Sequence, residues 1–317
     1  MKKVIPILKE RAIYVALIAL FIIFSCLSSD FLSPNNLINI ARQIAVLGIA
    51  SVGMTYVILI GGIDLSTGSI ITFVNIIAAY LMVNMGMNMW LAILIALLSS
   101  TAIGFLNGLL VANMNIPSLI VTFASQTIFE GFAYIISRGM PIFGFPKGFA
   151  TIGQGYVGFI PIPVIVMIVI FLIGGFILNK TYFGRYFYAL GGNETAAQMA
   201  GIRVKRVKYL IFSLSGLFAG IAGIIMLART NSGQPTAGKG YEFQVITAVA
   251  LGGVSLSGGS GKLSNVVAGV LIMGILKNGM VLLNISEYVQ MVVEGLILLL
   301  AVGFDCLQKR KLGYQNH

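Results

Sequence analysis

Residues 157–179 read VGFIPIPVIVMIVIFLIGGFILN and contain no charged side chain. A helix needs about 20 mostly apolar residues to cross the hydrocarbon core of a bilayer, so this stretch predicts a transmembrane helix. Similar apolar runs recur along the chain between polar or Gly/Pro-rich segments. The sequence predicts an all-α integral membrane protein with about ten transmembrane helices, near residues 12–28, 43–61, 68–84, 89–112, 116–137, 157–179, 208–228, 241–255, 263–283 and 288–304. The eighth run is short and flanked by glycines, which predicts a half-helix or a tilted one.

The composition excludes most soluble functions. The chain of 317 residues is 58% hydrophobic and 9% charged, which leaves too few ionisable groups to cover a water-facing surface. The net charge of +11 does not indicate nucleic-acid binding, because the basic residues lie between apolar runs and not on one soluble face. Residues 233–240, GQPTAGKG, resemble a phosphate-binding loop, but Gly240 stands where Ser or Thr is required. We expect no catalytic site and no metal site.

The orientation follows from the basic residues, because cytoplasmic loops carry the excess of Lys and Arg. A cytoplasmic N-terminus puts the basic residues of segments 2–11, 180–208 and 309–311, together with Lys262, on the inside. Lys277 then lies within a span, and the basic residues left outside are Arg42, Arg138, Lys147, Arg229 and Lys239. Both termini are therefore predicted to be cytoplasmic. Cys26 and Cys306 fall near opposite faces, too far apart for a disulfide.

Two helix junctions have similar sequences. Residues 60–69, IGGIDLSTGS, and 251–260, LGGVSLSGGS, agree at six of ten positions, and both junctions are predicted on the cytoplasmic side. This predicts a parallel internal repeat, a common device of transporters, unless two Gly/Ser-rich junctions resemble each other by chance. The candidate junction residues are Gly62, Asp64, Ser66, Gly252, Gly253 and Ser257.

Several polar side chains fall within the predicted spans. Glu130, Lys277 and Glu294 share a depth, and charge in hydrocarbon is costly, so Lys277 could pair with Glu294 or Glu130. Snorkelling of Lys277 and a purely structural pair are equally compatible with the sequence. Asn75, Asn107 and Gln126 lie at other depths, where they could line a wet path or form interhelical hydrogen bonds.

The longest hydrophilic segment, 184–208, is predicted to lie in the cytoplasm. Asn193 can cap a short helix whose first turn holds Glu194, and Gly201 ends that helix. Ala196, Ala197 and Ala200 are expected to present a small-residue surface that suits docking to a cytoplasmic partner. The basic run 203–208 equally suits an interfacial helix on acidic lipid.

These blocks together resemble a known family. Residues 62–69, 184–208, 214–223, 234–242 and 250–259 resemble the permease subunits of bacterial ATP-binding-cassette importers for ribose and related simple sugars. The resemblance implies a single transmembrane permease domain over 1–317, in the bacterial inner membrane. It also implies a coupling helix within 184–208, formed by Gly192, Asn193, Glu194, Ala196, Ala197, Gly201 and Arg203. Gln244 departs from the family, whose members commonly carry an acid there.

The resemblance further implies partners. These are a second permease copy, a cytoplasmic ATPase that binds ATP and Mg²⁺, and an extracytoplasmic sugar-binding protein. The permease itself is expected to bind no cofactor. An ion-coupled carrier that uses Glu130, Lys277 and Glu294 as a relay is the alternative. An intramembrane transferase would need clustered acids at one interface, where the sequence offers Asp64 alone.

Overall fold

The computed structural model describes residues 4–313 and the side chains of residues 13–307. Lys2 and Lys3, which entered the prediction of orientation, lie outside the described residues. The described part consists of thirteen helices and two short strands. The helices are α1 Val4–Leu27, α2 Pro34–Leu59, α3 Ser66–Val83, α4 Met89–Asn113, α5 Ser118–Ser137, α6 Phe149–Gln154, α7 Ile162–Lys180, α8 Tyr182–Gly192, α9 Glu194–Met199, α10 Val204–Thr230, α11 Tyr241–Leu251, α12 Leu263–Leu282 and α13 Glu287–Gly313; the strands are β1 Tyr156–Val157 and β2 Ile160–Pro161.

Every predicted span coincides with a helix. Eight of the described helices are long and apolar enough to cross a membrane, namely α2, α3, α4, α5, α7, α10, α12 and α13. The described apolar part of α1, Ile13–Leu27, and all of α11 are shorter. The prediction of an all-α membrane protein is confirmed. Helix α11 has 11 residues, about 16 Å at 1.5 Å per residue, so it is a half-helix.

Several boundaries were predicted wrongly, among them the start of α1, which is at Val4 and not near residue 12, and the end of α13, which is at Gly313 and not near residue 304. Two others have a local cause. Helix α2 begins at Pro34, well before residue 43, because Ser33 accepts a hydrogen bond from the Asn36 amide and Pro34 suits the first helical position. Arg42 therefore lies inside a helix. Helix α7 begins at Ile162 because residues 156–161 form a small antiparallel hairpin of β1 and β2.

The segment between α5 and α7 is more ordered than a Gly/Pro-rich loop suggests. Ile142 pairs with Gly233 through two backbone hydrogen bonds of 2.8 Å. The side chain of Phe149 is fully buried at the start of α6. The Arg42 guanidinium donates to the Gln154 carbonyl and lies 4.9 Å from the ring centroid of Tyr156. These contacts fasten the segment to α2 and to the chain after α10.

The spanning helices form an inner group and an outer group. The most apolar windows of α2, α3, α10 and α12 are 61–78% buried, whereas those of α4, α5, α7 and α13 are 6–28% buried. The outer helices therefore present most of their apolar surface outward, as contact with lipid requires. The core of the protein lies around α2, α3 and α10.

Close packing of α4 on α10 depends on glycines. A Cβ added at Gly104 would lie 2.1 Å from the Phe212 carbonyl oxygen, and one at Gly216 would lie 2.3 Å from the Ser100 oxygen. Gly220 and Gly223 are similarly crowded, by Ser100 and by α3. The small residues at four-residue spacing in α10 therefore allow the helix backbones to approach closely.

Candidate functional site

One end of the bundle carries a cluster of basic residues on and beside α8, α9 and α10. We call it the basic end, and its residues are Arg185, Arg203, Lys205, Arg206 and Lys208. Helix α9 projects from it. The Asn193 side chain caps α9 by accepting a hydrogen bond from the Ala196 amide at 2.9 Å. Glu194, in the first turn, forms an ion pair of 2.7 Å with Lys208 of α10, which fixes the orientation of α9.

The exposed face of α9 differs in part from the prediction. Ala196 and Ala200 are exposed, and the side chain of Met199 is 86% exposed. Ala197 is 5% exposed and packs into the core, so the prediction that it belongs to an open docking surface was wrong. Gly201, with φ of +84°, ends the helix as predicted. Ala196 and Met199 therefore belong to the exposed surface of α9, and Ala200 continues this surface just after the helix.

Helix α8, which leads into α9, was not predicted. Its buried residues, Gly184, Phe187 and Leu190, recur at a spacing of three, and this spacing was the available signal. The Tyr188 hydroxyl donates to the Gly261 carbonyl at 2.8 Å, and burial raises the pKa of Tyr188 although Lys262 opposes the shift. Helix α8 is therefore tied to the α11–α12 junction.

The two similar junctions meet at the end of α8. The Gly259 amide donates to the Leu59 carbonyl at 2.9 Å. A Cβ added at Gly191 would lie 1.8 Å from the Leu59 oxygen and 2.3 Å from the Gly259 nitrogen. One at Gly258 would lie 2.7 Å from the Gly61 nitrogen. We call this meeting of Leu59, Gly61, Gly191, Gly258 and Gly259 the glycine contact. It confirms that both junctions lie at one end of the bundle.

The junction residues take different local roles. The Gly62 amide donates to the Val57 carbonyl at 2.9 Å and ends α2. Gly252 caps α11, and Gly253 has φ of +77°. The Ser257 carbonyl oxygen lies 3.4 Å from the position of a Cβ on Gly61. Helix α3 begins within the first junction, at Ser66, whereas the second junction continues as a turn until α12 begins at Leu263.

Asp64 is the centre of a buried polar cluster. Its side chain is fully buried and accepts hydrogen bonds from the Ser66 amide and hydroxyl and from the Ser215 hydroxyl of α10 at 2.7 Å. Asn107 of α4 donates to the Ser66 hydroxyl oxygen at 3.0 Å. The cluster therefore joins the first junction to α4 and α10, which is a structural role for Asp64, Ser66 and Asn107.

A non-helical segment, 231–240, runs beside α3 before α11 begins. The Gln234 amide donates to the Asn75 side-chain oxygen at 2.9 Å. Further along, the Gly238 amide donates to the Thr72 hydroxyl oxygen at 2.9 Å. Asn75 is fully buried. Its side-chain oxygen therefore provides a hydrogen-bond acceptor inside the bundle for a backbone amide that lies outside any helix.

A buried carboxylate follows at the start of α11. Glu242 is 3% exposed and accepts a hydrogen bond of 2.9 Å from the Gln126 side chain of α5. Its second oxygen has no partner among the described residues. Glu130, one turn after Gln126, is half-buried. Glu242 was not predicted as an intramembrane acid, because it lies at the edge of the short eighth apolar run, next to the Gly-rich segment.

Among the described residues the structure shows no ion pair of 4 Å or less between Lys277 and Glu294 or Glu130, which was one of the alternatives that the sequence left open. Its Nζ lies 5.8 Å from the ring centroid of Tyr241, a cation–π arrangement. Glu294 of α13 instead accepts a hydrogen bond of 3.2 Å from the Gln244 side chain. Shared depth brought these side chains near one another without directing them at each other.

A cavity of about 440 Å³ opens between α2, α10, α11 and α12, towards the end opposite the basic end. We call it the polar cavity. Its polar lining residues are Gln43, Arg229, Thr230, Ser232, Gln234, Thr236, Tyr241, Gln244, Lys277 and Glu287. Leu47, Met226 and Met273 add apolar lining, and a cleft that combines apolar side chains with convergent polar groups is typical of small-molecule sites. Among the described residues there is no group of His, Cys, Asp and Glu that could hold a metal ion.

Comparisons with known proteins agree with this architecture. A family model described as the permease component of the branched-chain amino acid transport system matches residues 36–302. The chain is 43% identical over 300 residues to the ribose import permease protein of Haemophilus influenzae, covering 93% of each chain. It is 43% identical to that of Bacillus subtilis, covering 94% of this chain and 93% of the relative. It is 41% identical to the L-arabinose transport system permease protein of Escherichia coli, covering 93% and 90%. No solved structure matches.

The bundle and the polar cavity define a multi-spanning membrane protein of the transport class, here one of the bacterial inner membrane. The chain belongs to the family of branched-chain amino acid transport system permease components. The resemblance to permease subunits of ATP-binding-cassette importers for ribose and related sugars is confirmed. The chain is therefore a transport subunit and not an enzyme.

Proposed function

We propose that the chain carries ribose or a related monosaccharide into the cell, with energy from ATP hydrolysed on a separate cytoplasmic ATPase. The identity of 43% to two ribose import permeases, over more than nine-tenths of each chain, carries this proposal. The nearly equal identity of 41% to an L-arabinose permease keeps other pentoses as substrates to test. An extracytoplasmic binding protein delivers the sugar, and two copies of the permease form the pore.

The basic end faces the cytoplasm in this proposal, as the excess of Lys and Arg near α8, α9 and α10 favours. Helix α9, with its flanking residues from Gly192 to Arg203, is then the coupling helix. Its exposed Ala196, Met199 and Ala200 enter a groove of the ATPase, and Arg203 lies beside them. The Glu194–Lys208 ion pair of 2.7 Å lets a push on α9 act on α10.

The glycine contact transmits the displacement of α9 to the two helix junctions. Gly191 lies in the last turn of α8, three residues before α9 begins, and touches the backbone of both junctions. Close-packed backbone has no soft side chain to absorb a displacement, so a movement of α9 reaches α2, α3, α11 and α12 together. We propose this contact as the route from ATP-driven closure to a change of access in the bundle.

The test is sugar uptake into proteoliposomes that contain the permease, its ATPase and its binding protein, with ATP on the ATPase side. We expect uptake only when all three proteins and hydrolysable ATP are present. Competition by ribose, L-arabinose and D-xylose then ranks the substrates. Uptake by the permease alone under a proton or sodium gradient would refute the proposal and direct attention to Glu130, Lys277 and Glu294.

A further inference from the structure

The polar cavity is lined by side chains whose donors and acceptors are not all paired within the described part of the protein. Within the described residues, Arg229 and Lys277 form no ion pair of 4 Å or less, and the Gln43 side chain makes no hydrogen bond to the protein. Donors and acceptors are costly to leave unpaired within a membrane protein. A polar ligand or water must therefore satisfy these groups where they line the cavity.

The charges around the polar cavity balance. Arg229 and Lys277 supply two positive charges, while Glu287 lines the cavity and Glu294 hydrogen-bonds to the lining residue Gln244. An anion or a cation would meet both signs at once, so this arrangement favours a neutral ligand. Amides, carboxylates and cations together can accept from and donate to many hydroxyl groups.

The backbone around the cavity gives independent support. Segment 231–240 is non-helical, yet it lies beside α3 in the bundle. Non-helical backbone at membrane depth is tolerated where it is buried in protein or lines a water-filled cavity. A short apolar helix with glycine at its start, as α11 is, marks a binding site in many transporters. Tyr241 and Gln244 of α11 contribute to the cavity lining.

We infer that the polar cavity binds one neutral monosaccharide within a single permease protomer, against Tyr241, Gln43, Arg229 and Lys277. The volume of about 440 Å³ lies in the range of small-molecule sites, about 300–1,000 Å³. The ring of Tyr241 offers an apolar face to the sugar ring, and the amide and charged groups bind its hydroxyls. The choice of a sugar as the ligand rests on the proposed function. Binding at the polar cavity, in contrast, requires no ATPase.

The experiment measures the protection of a cysteine in the cavity. Cys26 and Cys306 are first replaced by serine, and Thr236→Cys then introduces a thiol at a lining position. Phe159→Cys is the matched control, because Phe159 is 88% exposed on the hairpin that Arg42 fastens beside Gln43. The full-length permease in proteoliposomes is labelled with a membrane-impermeant maleimide, in increasing concentrations of ribose, mannitol or inorganic phosphate.

We expect ribose to slow labelling of the Thr236→Cys protein several-fold and to leave the Phe159→Cys protein unchanged. Adding Gln43→Ala should raise the half-protecting ribose concentration about tenfold, the equivalent of about 1.4 kcal/mol. Equal labelling rates with and without ribose would overturn the inference, as would protection by phosphate but not ribose, or slowing at both cysteines. Because no ATPase takes part, protection can succeed where ATP-driven uptake fails, so the two proposals fail separately.

Discussion

Gly191→Ala is expected to damage the glycine contact, while Gly192→Ala beside it should be harmless. The added Cβ of the first variant would lie 1.8 Å from the Leu59 oxygen and 2.3 Å from the Gly259 nitrogen, whereas nothing lies within 4 Å at Gly192. Ordinary contact needs about 3.4 Å, so α8 must move away from both junctions by more than 1 Å. Neither glycine has a positive φ, so backbone strain does not enter the comparison.

The magnitude follows from two losses and one gain. Overpacking of this kind costs about 1–3 kcal/mol, and separation of the Gly259 amide from the Leu59 carbonyl costs about 1 kcal/mol more. Alanine gains up to about 1 kcal/mol over glycine in a helix, and both variants share this gain. Because the gain cancels in the comparison, we expect Gly191→Ala to lower the free energy of unfolding by about 2–4 kcal/mol relative to Gly192→Ala.

Two assays on the purified proteins check this expectation. Thermal unfolding in detergent should show a melting temperature several degrees lower for Gly191→Ala than for Gly192→Ala. Sugar-stimulated ATP hydrolysis by the assembled transporter should fall in Gly191→Ala and persist in Gly192→Ala. If the two variants melt and hydrolyse alike, the glycine contact neither holds the two junctions together nor transmits the push from α9.

Three further substitutions test separate parts of the structure. Met199→Arg should abolish co-purification of the ATPase while the permease still inserts and melts normally, because the native side chain is 86% exposed; unchanged co-purification would remove α9 as the docking helix. Gln244→Glu should cost about 1–3 kcal/mol in a melting assay, because its carboxylate would face that of Glu294 where a 3.2 Å hydrogen bond now lies. The addition of Glu294→Gln should restore the loss, and a strictly additive double variant would contradict the contact. Gly104→Ala, crowded at 2.1 Å by a carbonyl oxygen, should destabilise by about 1–3 kcal/mol, whereas Gly131→Ala, with nothing within 4 Å, should be neutral or slightly stabilising; equal melting temperatures would argue against tight packing of α4 on α10.

The sequence predicts the helices well because hydropathy responds to local composition. It missed the first turns of α2 because Asn36 and its neighbours look polar. In the folded protein Asn36 and Asn278 of α12 exchange side-chain hydrogen bonds of 3.0 and 2.8 Å across 242 positions of sequence. This pairing satisfies both side-chain amides inside the bundle. A hydropathy window of about 20 residues cannot detect it, because the two partners are far apart in sequence.

The sequence predicted where the candidate site residues lie along the chain, but not which way their side chains face. The cap at Asn193 and the end at Gly201 follow from local chemistry, which depends only on a few adjacent residues. Which face of α9 is open depends on what α9 packs against, so Ala197 was assigned to the wrong face. Depth alone likewise grouped Lys277 with Glu294, although rotation about each helix axis decides which groups meet.

Helix α11 joins the two candidate sites by a short rigid path. Its first residues, Tyr241 and Gln244, line the polar cavity, and the junction that follows its last residue reaches Gly258 and Gly259 in the glycine contact. The 11 residues of α11 extend for about 16 Å. Helix α2 makes a second connection, from Gln43 in the cavity to Leu59 in the contact. Since helices move largely as rigid bodies, a displacement at the glycine contact is expected to shift two walls of the polar cavity together.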